Sequence, residues 1–139
     1  MRVVLDTNVV LSAFLFGGKL QFIVELIIKN TLEPCFTSET WAELQRTLQY
    51  RHLIPALEAQ SITQDEFLAS MSVHAQFVAN IASPVAVPND PTDEKIVACA
   101  LVAEAKAIVT GDKHLLALAD NFSIPILTPQ QFRQWFQKQ

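Results

Sequence analysis

Short, β-branched apolar runs of four to six residues alternate along this chain with longer segments whose apolar positions recur every three or four residues. The first kind suits buried strands and the second suits helices packed by one face. "RVVLD" is such a strand, and "TNVVLSAFLF" continues from it as a mostly apolar helix that stops at Gly17-Gly18. "LQFIVELIIKN" predicts a second helix, "LEPCFT" a strand, and "SETWAELQRTLQY" an amphipathic helix with Trp41, Leu44 and Leu48 on one side. The segment around Pro55 carries no clear signal, and the pattern then predicts a helix from about Gln64 to Ile81 and a third strand at "PVAV", Pro84 to Val87. Beyond it the alternation sharpens. "NDPTDEKIVACALVAEAK" is a helix, "AIVT" a strand, "GDKHLLALA" a short helix, "IPILT" a strand and "PQQFRQWF" a closing helix.

Strands that alternate with helices predict a three-layer α/β domain around a mainly parallel sheet, because parallel neighbours need helical crossovers that cover both faces. No repeat or Gly/Ser linker divides the chain, and 139 residues fit one domain spanning residues 1–139. Half the residues are apolar, yet polar residues interrupt every run well before bilayer length, so no membrane span is expected. Asp6 falls where the apolar stretch of a signal peptide would be forming. Cys35 and Cys99 lack a second Cys or His at metal-ligand spacing and are expected as buried free thiols of a cytoplasmic protein. The formal charge of −4 argues against a protein that coats nucleic acid, but not against an enzyme acting on phosphates, since acids clustered around divalent cations become less negative once loaded.

The carboxylates change the picture most. A buried, unpaired acid is costly, so Asp6 in the apolar stretch "VVLDTNVVLSAF" must cap, pair or hold a cation. Asp6 ends the first strand, Asp93 begins the helix after "PVAV", and Asp112 follows "AIVT", which places all three at the carboxyl edge of the sheet, where ligands of such folds bind. Glu43, in the helix after "EPCFT", is close enough to reach the same edge. Each alone has an ordinary explanation as a helix cap: Asp90-Pro91-Thr92-Asp93 resembles a capped first turn, and Thr40-Trp41-Ala42-Glu43 matches a capping box. Four acids in one pocket, however, either take up protons or bind a cation, and an all-carboxylate set suits Mg²⁺ or Mn²⁺. Thr7, Asn8 and Thr110 are placed to hydrogen-bond the metal-bound groups, with Asp90 an N-cap or peripheral ligand. His52, His74 and His114 show no mutual zinc spacing and are expected to be non-catalytic. Lys113 and Arg46, each near one of the acids, are candidates for contacting phosphates. Neither a Gly-rich phosphate loop nor a nucleophile elbow is present.

In these motifs the sequence resembles the PIN-domain ribonucleases. "VVLDTNVVLSAF", "SETWAELQRTL", "NDPTDEKIVACAL" and "AIVTGDKHLLAL", with "PILTPQQF" near the end, follow that family's order over nearly the whole chain, although Arg51 to Ser83 has no matching motif. The resemblance implies a three-layer α/β/α PIN-like fold, with an acidic quartet on Asp6, Glu43, Asp93 and Asp112, the Thr/Asn pair on Thr7 and Asn8, and a supporting hydroxyl on Thr110. Glu39 is a competing acid in the same helix, and the "ELxxxL" pattern favours Glu43. Many relatives carry a second Asp where this chain has Glu94. The resemblance further implies Mg²⁺- or Mn²⁺-dependent cleavage of RNA. Small stand-alone members are often VapC-like toxins of type II toxin–antitoxin pairs, which implies a protein antitoxin and commonly a homodimer. Two other readings compete. A non-catalytic RNA- or partner-binding module would be favoured by a broken quartet, and a metal-dependent phosphatase with an aspartate nucleophile usually needs a second Asp where Asn8 stands.

Overall fold

The computed structural model describes residues 1–82 and 91–139. Strand β1 (Arg2–Leu5) leads into helix α1 (Thr7–Leu11), whose backbone widens to a π-helical turn over Ser12–Phe16. The turn stops at Gly17 and Gly18, which adopt φ of +63° and +60°, a left-handed conformation that costs glycine little. A 3-10 turn at Gly18–Leu20 opens α2 (Gln21–Ile28), followed by β2 (Glu33–Phe36) and α3 (Ser38–Leu48). Next come a 3-10 turn at Arg51–Leu53, α4 (Ile54–Ala59), α5 (Gln64–His74) and β3 (Gln76–Phe77). The remainder is α6 (Pro91–Ala103), β4 (Ala107–Val109), α7 (Lys113–Leu116), β5 (Ile126–Leu127) and α8 (Pro129–Gln137).

The five strands form one sheet in the order β3-β2-β1-β4-β5, and every pairing is parallel. In register, Val3 lies opposite both Pro34 and Ala107, Leu5 opposite Val109, and Ile108 opposite Ile126. Side chains alternate between two cores, as the pleat requires. Val3, Leu5, Ala107 and Val109 face a cluster built with α1 to α5 and Phe132 of α8, whereas Val4, Cys35 and Ile108 face one built with Ile96, Val97, Cys99 and Ala100 of α6 and Leu115 of α7. Helices therefore cover both faces, and the result is the three-layer α/β/α arrangement expected from the alternation of elements. The chain winds outward from β1 in both directions, so the switch in strand order falls between β1 and β4. That crevice, at the carboxyl ends of the strands, is where a site forms in sheets of this kind.

Departures from the sequence pattern are local. The helix expected to Ile81 ends at His74, where Ala75 turns extended (φ −86°, ψ 151°) and β3 adds to the edge of β2. The pairing gains backbone hydrogen bonds and lets Phe77 pack edge-on against Trp41, with ring centroids 5.1 Å apart, in place of about two more helical turns. The strand expected at Pro84 to Val87 and the cap expected at Asp90 lie outside the described residues. The segment around Pro55, without a clear signal in sequence, holds the short α4, with Pro55 in its first turn, where the missing N–H is harmless. Of the apolar run from Leu20 to Ile28, Ile23, Val24 and Ile27 are core, while Ile28 stands 58% exposed. Cys35 and Cys99 are free and buried, and burial pushes both thiols up to about 11, far from reactive. Among the described residues no single helix is long and apolar enough to cross a membrane.

Phe132 ties α8 to the sheet. It is fully buried and stacks between Phe22, at 6.4 Å, and Trp135, at 5.8 Å. Phe132→Ala is expected to lower stability by about 3–5 kcal/mol through lost transfer energy and the cavity left behind, measured as a shift in the urea midpoint at unchanged m-value.

Candidate metal centre

The carboxyl edge gathers acids from four separate segments. A cavity of about 260 Å³ is lined by Asp6, Glu43, Asp93 and Asp112 together with Thr7 and Asn8, and its lining is completed by Thr47 and Tyr50. Glu39 and Glu94 line a different cavity, with Asn80 and Lys95. The ambiguity between the two glutamates of α3 is thus resolved by position: Glu43, not Glu39, faces the other three acids.

Asp6 is held where β1 becomes α1. Its N–H donates to the Val109 carbonyl (3.0 Å), extending the β1–β4 ladder by one bond, and its own carbonyl accepts from the Val9 and Val10 N–H groups (2.9 and 3.0 Å). The backbone thus makes the helix start, while the side chain makes no cap hydrogen bond. Its Oδ2 instead accepts a 2.8 Å hydrogen bond from the Thr110 hydroxyl, which in turn accepts from the Asp112 N–H at 3.0 Å. Thr110 is fully buried, so this hydroxyl clasps the ends of β1 and β4 together and fixes the Asp6 carboxylate. Burial raises the Asp6 pKa above its ordinary value, and the Asp112 charge adds to that. The Thr110 hydrogen bond and the Thr7 and Asn8 N–H groups oppose it without cancelling it.

Asp112 is the one acid of the four, among the described interactions, with a clear capping duty: its Oδ1 accepts from the His114 N–H at 2.7 Å at the start of α7. The same oxygen lies 3.3 Å from His114 Nδ1. Asp93, in the first turn of α6, is only 3% exposed. The capping box expected on Thr40 and Glu43 forms one turn earlier. Thr37 is the N-cap of α3 and exchanges hydrogen bonds with Thr40, which leaves Glu43 in the second turn with no capping role. Arg46 holds Glu43 instead, through a 2.6 Å contact of Nη2 with Oε2, and the Thr47 hydroxyl donates to the Glu43 carbonyl at 2.8 Å. Arg46, expected as a phosphate contact, is therefore paired within the protein, whereas Lys113 is exposed beside Asp112.

One ligand atom each from Asp93, Asp112 and His114 lies within 4.8 Å of the others, close enough to share an ion. His114 was expected to be non-catalytic, yet it stands in this group. Its backbone N–H bond to Asp112 and its place two residues beyond that acid are local features a sequence pattern does not weigh. Tyr50 and Thr47 were not singled out in the sequence either; the turn that follows α3 brings Tyr50 to the cavity. His52 is exposed, and His74 is half-buried in a separate cavity beside Phe14 and Gly17. The donor set fits a hard divalent cation: carboxylate oxygens predominate, they come from rigid element ends, and hydroxyl and amide groups orient them.

A family model described as a PIN domain matches residues 2–114, from β1 into α7 and across all four acids. A comparison with curated proteins gave no match.

The raised Asp6 pKa has a testable sign. The fold favours the protonated carboxyl, so its contribution to the stability of the metal-free protein is fully present below the ordinary Asp pKa and lost as pH rises through the higher folded value. In EDTA, Asp6→Asn is expected to flatten the loss of stability as pH rises from the ordinary Asp pKa toward neutrality, and to leave the protein at neutral pH as stable as wild type or more so. Urea melts across that pH window measure both.

Proposed function

The chain belongs to the PIN domain family, whose members are typically nucleases, and from that premise we propose that it is a divalent-metal-dependent ribonuclease hydrolysing RNA phosphodiester bonds. The observation that carries this reading is the convergence of Asp6, Glu43, Asp93 and Asp112, from four segments, on one cavity at the switch in strand order. Asp6 makes no side-chain cap and Glu43 stands outside the capping box of its helix, and the fold tolerates a desolvated Asp6 next to Asp112.

In this reading Asp6, Glu43, Asp93 and Asp112 hold Mg²⁺ or Mn²⁺. When bound, the metal lowers the pKa of an attacking water and neutralises charge on the leaving oxygen. Thr110 keeps the Asp6 carboxylate turned into the cavity, and Thr47 and Arg46 restrain Glu43. In the same reading Asn8, exposed at the start of α1, and Lys113, exposed at the start of α7, contact the phosphates of the RNA. The toxin role belongs to the same reading: an antitoxin protein and a second copy of the chain are its partners. The exposed Ile28, which lines one cavity of about 450 Å³ with Phe14 and Val24, supports a covered apolar surface.

EDTA is expected to abolish cleavage of RNA and Mn²⁺ or Mg²⁺ to restore it. Asp93→Asn should lower the cleavage rate by at least about 100-fold, the scale of losing one group that stabilises transition-state charge, and shrink the rise in Tm on adding Mn²⁺. Cleavage that survives exhaustive chelation overturns the metal mechanism. Lys113→Ala should flatten the salt dependence of RNA binding by roughly one counterion, and an unchanged slope removes Lys113 from the phosphate path. Sedimentation at micromolar concentration should give a dimer, and a monomer alone argues against the second copy.

A further inference from the structure

A second cavity adjoins the acidic one. It has a volume of about 250 Å³ and shares Asn8, Thr47 and Tyr50 with it, so the two form one continuous cleft. Its own walls are Leu11, Ser12, Phe16, His52 and Leu53, with no carboxylate among the described residues that line it. Three rings are presented along it: Tyr50 is 51% exposed, Phe16 is 63% exposed, and His52 is exposed with its ring 5.8 Å from that of Tyr50. Leu48 and Leu53, on either side of Tyr50 and His52, already anchor that turn in the core.

The backbone beneath the rings is fixed. The Tyr50 N–H donates to the Thr47 carbonyl at 3.1 Å, and the Leu53 N–H donates to the Tyr50 carbonyl at 3.0 Å, locking the turn between α3 and α4. A half-exposed aromatic on a rigid turn loses little freedom when another flat ring covers it. The acidic half of the cleft suits a metal-bound phosphate and the adjoining aromatic half a planar, uncharged ring. A nucleotide presents these two features together.

We infer that the cleft along Tyr50, Phe16 and His52 is a nucleobase subsite, in which an unpaired base of the RNA next to the cleaved phosphate stacks on Tyr50. The inference rests on the ribonuclease reading and narrows its substrate to strands whose bases are free to leave the stack. Thr47 joins the two halves, since its hydroxyl is bonded to the Glu43 carbonyl while its residue lines both cavities. Stacking needs only a ring face, so the subsite accepts any base and rejects a paired one.

The test measures binding of a fluorescein-labelled single-stranded oligoribonucleotide by anisotropy in EDTA, and its cleavage in Mn²⁺. Tyr50→Ala is expected to weaken binding by about 5- to 150-fold, the range that base–aromatic stacking spans, and to raise KM similarly with kcat within about twofold. Tyr50→Phe keeps the ring and should match wild type. On an abasic strand, or on the same strand annealed to its complement, Tyr50→Ala and wild type should be equal. Binding by Tyr50→Ala within twofold of wild type, or an equal loss on the abasic strand, overturns the subsite. The two readings fail separately: unchanged cleavage by Asp93→Asn sinks the metal site while a Tyr50 effect on binding survives, and abolished cleavage by Asp93→Asn with no Tyr50 effect leaves the nuclease without this subsite.

Discussion

The parallel pairing of β1 with β4 is the interaction on which the rest of this structure depends. The two strands are buried on both faces, and their ladder is carried one bond further by the Asp6 N–H on the Val109 carbonyl. Because they are not consecutive in the chain, everything between them must cross the sheet and return, and the strand order reverses at their junction. Their carboxyl ends therefore open into a crevice instead of being filled by a crossover. Asp6 leaves one strand and Thr110 and Asp112 leave the other, so a single pairing register decides that these groups meet. A slip of one residue would turn the alternate side chains to the wrong cores and separate the acids.

Placing acids at this junction opposes folding, since a desolvated Asp6 beside Asp112 favours protonation over charge. The fold tolerates it because the acids sit on element ends that are already determined by packing: β1 by Val3, Val4 and Leu5, β4 by Ala107 to Val109, α6 by Ile96 to Ala100, and α3 by Leu44 and Leu48. The Thr110 hydroxyl offsets part of the repulsion by bonding the Asp6 carboxylate while receiving the Asp112 N–H. Stability given up locally for a site that binds a ligand is common in functional clefts, where consistency between local preference and global fold is relaxed.

An acid at the start of a helix is often a cap, and here the hydrogen bonds show how far that holds for three of the acids. Asp112 caps α7; Asp6 occupies the N-cap position without using its side chain as a cap; Glu43 is released from capping because Thr37 and Thr40 close the start of α3 between themselves. Residue type and position alone could not make that distinction, since Thr40 to Glu43 has the spacing of a capping box one turn out of register. The aromatic rings beside the acids were equally hidden, because Tyr50 and Phe16 lie 34 residues apart and neither belongs to a motif.

The sequence by itself determined the alternation of strands and helices, the three-layer architecture, and the edge of the sheet at which Asp6, Asp93 and Asp112 emerge. Those follow from periodicity and from the position of each acid at an element end, which are local properties of the chain. Tertiary structure decided the rest: that α5 ends at His74 so that Gln76–Phe77 can pair with β2, that Glu43 instead of Glu39 faces the cavity, that Arg46 is held by Glu43, and that His114 stands beside Asp93 and Asp112. Each of these depends on which distant segment lies across the gap, and a one-dimensional pattern carries no record of that distance.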